Sequence, residues 1–296
     1  MLEVKQILCP IDFSDFSVTA YRHAVSLAEH YRAKLVAQHI VELWRSPSVG
    51  FVANAGLYEQ FCQVTRENSK EQLREFVKNY TPDETHPELV VDLAIAPDAI
   101  LSFAQAHKTD VIVMGTHGRR GYDRLMLGSV TERVMRRAPC PVLAVCKRPH
   151  DSMAADQERR HVHHLNRILF CTDFSENAER ALNYAISVTA EYDAELTLLN
   201  VLEDVPGSAN VAEATAVAAE QLDKLIPPEG RKLRRIKTAV RIGKPYRQII
   251  QLAEDTQTDL VTMAVRGRGA LDLAVFGSTT YRVMQLGPCP VLAVHV

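Results

Sequence analysis

Short apolar runs alternate with longer amphipathic stretches along this chain. In the first half Ile7 to Asp12, Leu35 to Val41, Leu89 to Ala94, Val111 to Met114 and Val142 to Val145 are strand-length and mostly apolar. Runs without a polar face suit strands buried on both sides, as in a parallel sheet. Between the first two, Ala20, Ala24, Leu27, Ala28 and Tyr31 recur at helical spacing, and Ala181, Ala185, Val188, Thr189 and Tyr192 do the same in the second half. Alternating strands and helices predict right-handed crossovers and a doubly wound α/β sheet in each half. Pro10 is awkward for a central strand, so the pattern places it near that strand's exit.

The pattern is written twice. Gln6 to Leu43 aligns without a gap to Arg167 to Asp204, an offset of 161, whereas Met114 to Val145 aligns to Met263 to Val294 at an offset of 149. The difference of 12 residues is therefore missing from the second copy, between its second and fourth strands. Two domains follow, residues 1–148 and 165–296, joined by a linker over 149–164 whose sequence is polar and aperiodic. Its His150, His161, His163 and His164 are of a metal-binding residue type, but no cysteine or carboxylate is placed with them to fix a geometry, so a solvated linker without metal is expected.

Bulk composition narrows the class. The chain has 296 residues, enough for two cores, with 47% hydrophobic and 24% charged residues and a net charge of −2. A near-neutral surface gives no general attraction to nucleic acid or to an anionic membrane. No apolar run reaches the roughly 20 residues that a spanning helix needs, and "MLEVKQ" has no apolar signal region. Cys9, Cys62, Cys140, Cys146, Cys171 and Cys289 form no C-x-x-C and mostly lie in apolar runs, which predicts free buried thiols and a cytoplasmic protein.

The chemistry concentrates in a glycine-punctuated loop after the fourth strand of each half. The first copy reads Gly115-x2-Gly118-x9-Gly128-Ser129 and leads into a helix near Ser129; the second keeps Gly267, Gly277 and Ser278 but has Ala264 where Gly115 stands. Glycines let the backbone approach a ligand, and a helix N-terminus presents amides and a positive dipole end, a combination that binds phosphate. Ser129 and Glu132 also read as an S-x-x-E capping box, which would explain Ser129 without a ligand but not Gly115 or Gly118. No Walker lysine is present, and "IDFSDFS" occupies the place of a dinucleotide fingerprint after the first strand.

These residues, with "PIDFS" at the end of the first strand and "PCPVLAV" at the last, resemble the nucleotide-binding branch of the universal stress protein family. The resemblance spans both halves. It implies two tandem Rossmann-like, doubly wound five-stranded sheets of order 3-2-1-4-5, with ATP held where strands one and four diverge. Carried over by position, it implies a first-half nucleotide site of Asp12, Ile40, Gly115, Gly118, Gly128, Ser129 and Val130. A weaker second-half site would comprise Asp173, Val201, Gly267, Gly277 and Ser278. For Asp12 a cap on the following helix remains the alternative, and for Ile40 plain core packing. If the Gly115 position needs positive φ, Ala264 weakens the second site about tenfold. The second half in turn keeps Gly243 and Pro245 before its third helix, where the first half has Ile95 and Pro97.

Arg119, Arg120, Arg266 and Arg268 lie in the loops and suit either phosphate or solvent. No general base held by a second group is apparent, so turnover is expected to be at most slow ATP hydrolysis, with or without Mg²⁺. The reading is a nucleotide-binding sensor or regulator, against a structural or interaction protein with empty sites and a slow ATPase. ATP titration and phosphate release discriminate these. The resemblance also implies dimer contacts through the last strands. Two copies in one chain would then form an intramolecular pseudo-dimer across Val142 to Val145 and Val291 to Val294, with both loops facing solvent. Further homodimerisation is left unspecified.

Overall fold

The computed structural model describes residues 3–43, 55–82, 85–118, 127–146, 165–203, 208–226, 235–267 and 277–295. The linker and its histidines, and Arg119, Arg120 and Arg268, lie outside these. The first half runs β1 (Gln6–Ile11), α1 (Asp15–Tyr31), β2 (Lys34–Val41), α2 (Ala55–Tyr80), β3 (Glu88–Leu93), α3 (Ala96–Ala106), β4 (Val111–Gly115), α4 (Ser129–Arg137) and β5 (Val142–Val145). The second runs β6 (Arg167–Thr172), α5 (Glu176–Tyr192), β7 (Glu195–Leu202), α6 (Ser208–Leu225), β8 (Ile236–Ile242), α7 (Pro245–Asp255), β9 (Leu260–Ala264), α8 (Ser278–Leu286) and β10 (Val291–Val294). Much of the 12-residue deficit falls in one helix, since α2 has 26 residues and α6 has 18.

Both halves have strand order 3-2-1-4-5, and their last strands join them into one ten-stranded sheet, β3-β2-β1-β4-β5-β10-β9-β6-β7-β8. All pairs are parallel except the central one, where β5 and β10 run antiparallel with Leu143 opposite Leu292. A half on its own would expose β5 as an apolar edge; pairing satisfies its backbone and removes the edge. On one face α1, α2, α5 and α6 bury a core that includes Ala20, Ala24, Ala181 and Ala185. On the other, α3, α4, α7 and α8 bury Ile100, Val134, Ile249 and Val283. Each core contains residues of both halves.

Pro10 is the fifth of the six residues of β1, near the exit as the pattern places it, and its effect shows in the ladder to β4. That ladder registers only Ile7 with Val111 and Leu8 with Ile112. In the second half Cys171 occupies the equivalent position, and the β6–β9 ladder continues to pair it with Met263. Proline has no N–H to donate, which accounts for the earlier separation of β1 from β4 in the first half.

Candidate functional site

The carboxyl ends of β1, β2 and β4 converge where the chain departs from β1 to β2 on one side and β4 lies on the other. This is the switch point at which ligands bind in doubly wound sheets. After β1 the backbone makes an unusual turn: Phe13 has φ 63° and its second-half equivalent Phe174 has φ 60°. A bulky side chain in the left-handed region costs of order 1–3 kcal/mol and persists only where its surroundings enforce it. The Phe13 ring packs on His39 at 4.5 Å and on Phe76 at 5.7 Å. The turn directs Asp12 back over the following helix. Its Oδ1 accepts hydrogen bonds from Ser14 N (3.0 Å) and Ser14 Oγ (2.6 Å).

The N-cap of α1 is Ser14, whose Oγ accepts from Ser17 N at 3.2 Å, so Asp12 braces the cap and is not the cap itself. The arrangement repeats at Asp173, where Oδ1 accepts from Ser175 N at 3.1 Å and Ser175 caps α5. The other carboxylate oxygen of Asp12 faces Gly118: a Cβ on that glycine would lie 2.6 Å from Oδ2. Gly267 stands against Asp173 Oδ2 in the same way. The glycine between the loop's two ends therefore exists so that a carboxylate can lie against the backbone. Both halves share this floor.

Gly115 has a different role from the one its spacing suggests. Its φ lies outside the left-handed region; among the described glycines only Gly243 has positive φ, at 128°. A Cβ at Gly115 would instead meet Phe16 Cβ at 2.9 Å and Phe16 O at 3.0 Å. The glycine lets α1 press against the end of β4. Ala264 carries a Cβ at the equivalent place, and since the position does not need positive φ in the first half, the expected tenfold penalty from positive φ has no basis.

The capping-box reading of Ser129 is also corrected. The N-cap of α4 is Gly128, with no side-chain cap bond, and Ser129 is the first helical residue. Glu132 turns to Arg136 at 2.7 Å instead. Gly128 N donates to Thr116 O at 2.8 Å and Gly277 N to Val265 O at 3.1 Å, closing each loop by backbone alone. Among the described residues no side chain caps α4, and the amides of Ser129, Val130 and Thr131 in its first turn have no intrahelical acceptors, the geometry that suits an anion. Ile40 and Val201, at the ends of β2 and β7, pack half-buried against the α3/α4 and α7/α8 side of the core.

Two pairs of positions escaped the sequence reading. Thr131 Oγ1 donates to Gly115 O at 2.8 Å and Thr280 Oγ1 to Ala264 O at 3.1 Å, tying each helix to the strand before its loop. His39 Nδ1 donates to Ile11 O at 2.7 Å, and Asn200 Nδ2 to Thr172 O at 2.9 Å, holding β2 and β7 to the ends of β1 and β6. The signal was present: a polar residue at the same place in both copies, Thr131 and Thr280 in the first turn of α4 and α8, His39 and Asn200 in the latter part of β2 and β7.

The middle of each glycine loop, and with it the expectation that both loops face solvent, lies outside the described residues; Leu127, just before α4, is buried, and its N–H donates to Tyr281 Oη of the second half at 3.4 Å. Four of the six cysteines are buried and all are free; burial pushes the Cys140 thiol up to about 12, well away from nucleophilic use. Among the described residues no group of three or more potential ligands converges as a metal site, and no helix is long and apolar enough to cross a membrane.

Fold and loop together define a tandem, Rossmann-like α/β protein with a glycine loop at each switch point. The chain belongs to the universal stress protein family, whose model matches residues 3–145 and 164–295. A universal stress protein of Methanocaldococcus jannaschii is 38% identical over 146 residues, 48% of this chain and 82% of that protein. One from Synechocystis is 23% identical over 98% of this chain and 99% of its own length. Among solved structures, a universal stress protein from Archaeoglobus fulgidus matches 98% of this chain and 95% of its own, with a TM-score of 0.64 at 20% identity. That likeness speaks to the fold.

Proposed function

We propose that this chain, read as domains 1–148 and 165–296, is a cytoplasmic stress-response protein that binds adenine nucleotide without consuming it and acts as a sensor or regulator. The observation that carries the reading is the Asp12 carboxylate laid on Gly118, together with the N-terminus of α4, whose cap Gly128 has no side chain. Asp12 Oδ2 suits a hydroxyl or amino group of the nucleoside, Ile40 the base, and the first amides of α4 the phosphates. ATP is the nucleotide the family resemblance implies, with Mg²⁺ as its counter-ion where present. Asp173, Val201, Gly267, Gly277 and Ser278 would form the second site on the same plan.

Calorimetric titration of the full chain with ATP tests the reading. Binding is expected, with Asp12→Ala weakening the first site at least tenfold. If neither ATP nor ADP binds at millimolar concentration, the reading is wrong. Rapid phosphate release in the presence of Mg²⁺ would instead make the protein an ATPase.

A further inference from the structure

Three positions at the carboxyl ends of β1, β2 and β3 stand in one row. Ile40, the last residue but one of β2, is in register with Asp92, the last but one of β3. The β1–β2 ladder runs up to Ile11 and His39, so Asp12, the next residue, continues it towards Ile40. Alternation puts Asp92 on the same face of β3 as Val90, the α3/α4 face against which Ile40 packs. From Asp12 to Asp92 the row spans two strand spacings, about 10 Å, which is the scale of a nucleoside.

Asp92 is held from the strand beside it. Gln38, one step back on the same face of β2, donates from Nε2 to Asp92 Oδ2 at 2.8 Å. Gln38 is fully buried, and among the described residues its Oε1 has no hydrogen-bond partner. A buried polar atom left unpaired costs stability. Packing does not require the amide, because Leu199 is buried at the equivalent position of β7. The glutamine therefore answers to Asp92 and not to the core. In the second half Arg241 is in register with Val201, as Asp92 is with Ile40, and its guanidinium lies 3.8 Å from Asp255. The two rows read Asp12, Ile40, Asp92 and Asp173, Val201, Arg241: alike at one end and opposite in charge at the other.

We infer that Asp92 is a specificity-determining residue of the first half, selecting a base that carries an amino group on the edge facing β3, and that Gln38 is the positioning residue that aims its carboxylate. The inference rests on the nucleotide reading, which puts Ile40 against the base and Asp12 at one end of the nucleoside, so that the far edge of the base meets Asp92. A carboxylate accepts from the amino group of adenine, and an edge without that group has no such donor to offer. Arg241 only donates, so the second half gives the amino group no advantage.

The test uses the full chain carrying Asp173→Ala to weaken the second site, titrated with ATP, with GTP and with purine riboside triphosphate, which lacks the amino group. ATP should bind about tenfold tighter than purine riboside triphosphate, the worth of one hydrogen bond to a charged acceptor. Asp92→Leu should bring the two to about equal affinity, and Asp92→Asn, whose amide oxygen still accepts, should retain part of the preference. Gln38→Leu, which copies the second half, should lower the preference about threefold without loss of stability in urea, a change that a merely structural role would not produce. An unaltered preference in Gln38→Leu overturns the positioning role. Equal binding of ATP and purine riboside triphosphate by the parent chain, or a preference untouched by Asp92→Leu, overturns the inference and leaves the nucleotide reading standing. GTP bound more tightly than ATP, with that advantage lost in Asp92→Leu, overturns the choice of an adenine edge in favour of a guanine edge. Binding of no nucleotide at all sinks the nucleotide reading and this inference with it.

Discussion

Leu143 of β5 lies directly opposite Leu292 of β10, the midpoint of the antiparallel pair and the pseudo-twofold centre of the ten-stranded sheet. Both are at most 8% exposed. They floor a cavity of about 80 Å³ whose walls include Leu27 and Tyr31 of α1 and Val188 and Tyr192 of α5. Across that gap His30 and Glu191, equivalent positions in the two helices, form a hydrogen-bonded pair, with His30 stacked on Tyr192 at 4.3 Å.

Placing a charge at that centre should separate the halves. Leu143→Lys loses a buried side chain and places an ammonium in the apolar gap between the sheet and helices α1 and α5, a cost of about 3 kcal/mol or more. Denaturant unfolding should show the loss, and crosslinking between the halves should fall. Wild-type stability with intact docking would mean that β5–β10 pairing does not hold the halves together.

The glycine at the end of β4 is a packing residue on this structure. Gly115→Val should destabilise the first half by about 2 kcal/mol through overpacking against Phe16, whereas Ala264→Gly should leave second-site ATP affinity within twofold. Titration of the Ala264→Gly chain decides the matter: a tenfold gain in affinity would restore the loop-lesion explanation that the backbone angles argue against.

Gly118 and its carboxylate form a stricter test of the site. A methyl group at Gly118 must displace Asp12 Oδ2, while Oδ1 is tied to Ser14. Gly118→Ala should weaken first-site ATP binding tenfold or more and cost about 1–2 kcal/mol in stability. Gly243→Ala, at φ 128° in the second half, should cost similar stability without touching first-site ATP affinity. Equal effects of both on binding would show that the loop glycine has no special part in it.

Acid should loosen the same interface. Burial holds the His295 imidazole below its ordinary 6.5, with Arg266 adding to the effect and the Met135 carbonyl opposing it. A depressed histidine contributes stability that is fully present above the unfolded value and is lost as pH falls through the folded one. Thermal stability should therefore decline below about pH 6.5, and His295→Gln should flatten that decline. An unchanged pH profile in His295→Gln would assign the acid sensitivity elsewhere.

The chain's own pattern determined the two-fold repeat and the strand and helix sequence of each half, because local periodicity carries them in one dimension. The strand order and the last strands as joining edges came with the family resemblance, the latter supported by an apolar edge that must be covered. The glycine spacing also marked where the site would lie. What each glycine does was decided only in three dimensions. Gly115 answers to a helix 99 residues earlier in the chain at Phe16, Gly118 to the carboxylate of Asp12, and Gly128 to the carbonyl of Thr116. A string of glycines records that space is needed but not which neighbour needs it. Likewise Ser129 and Glu132 match a capping box by spacing, yet Gly128 caps and Glu132 turns to Arg136, because caps depend on where the helix begins by one residue. The difference between the halves at Glu132 and Tyr281, and at Cys146 and His295, was visible as letters. Which backbone groups Tyr281 and His295 reach, Leu127 N and Met135 O, was decided only once β5 and β10 were paired.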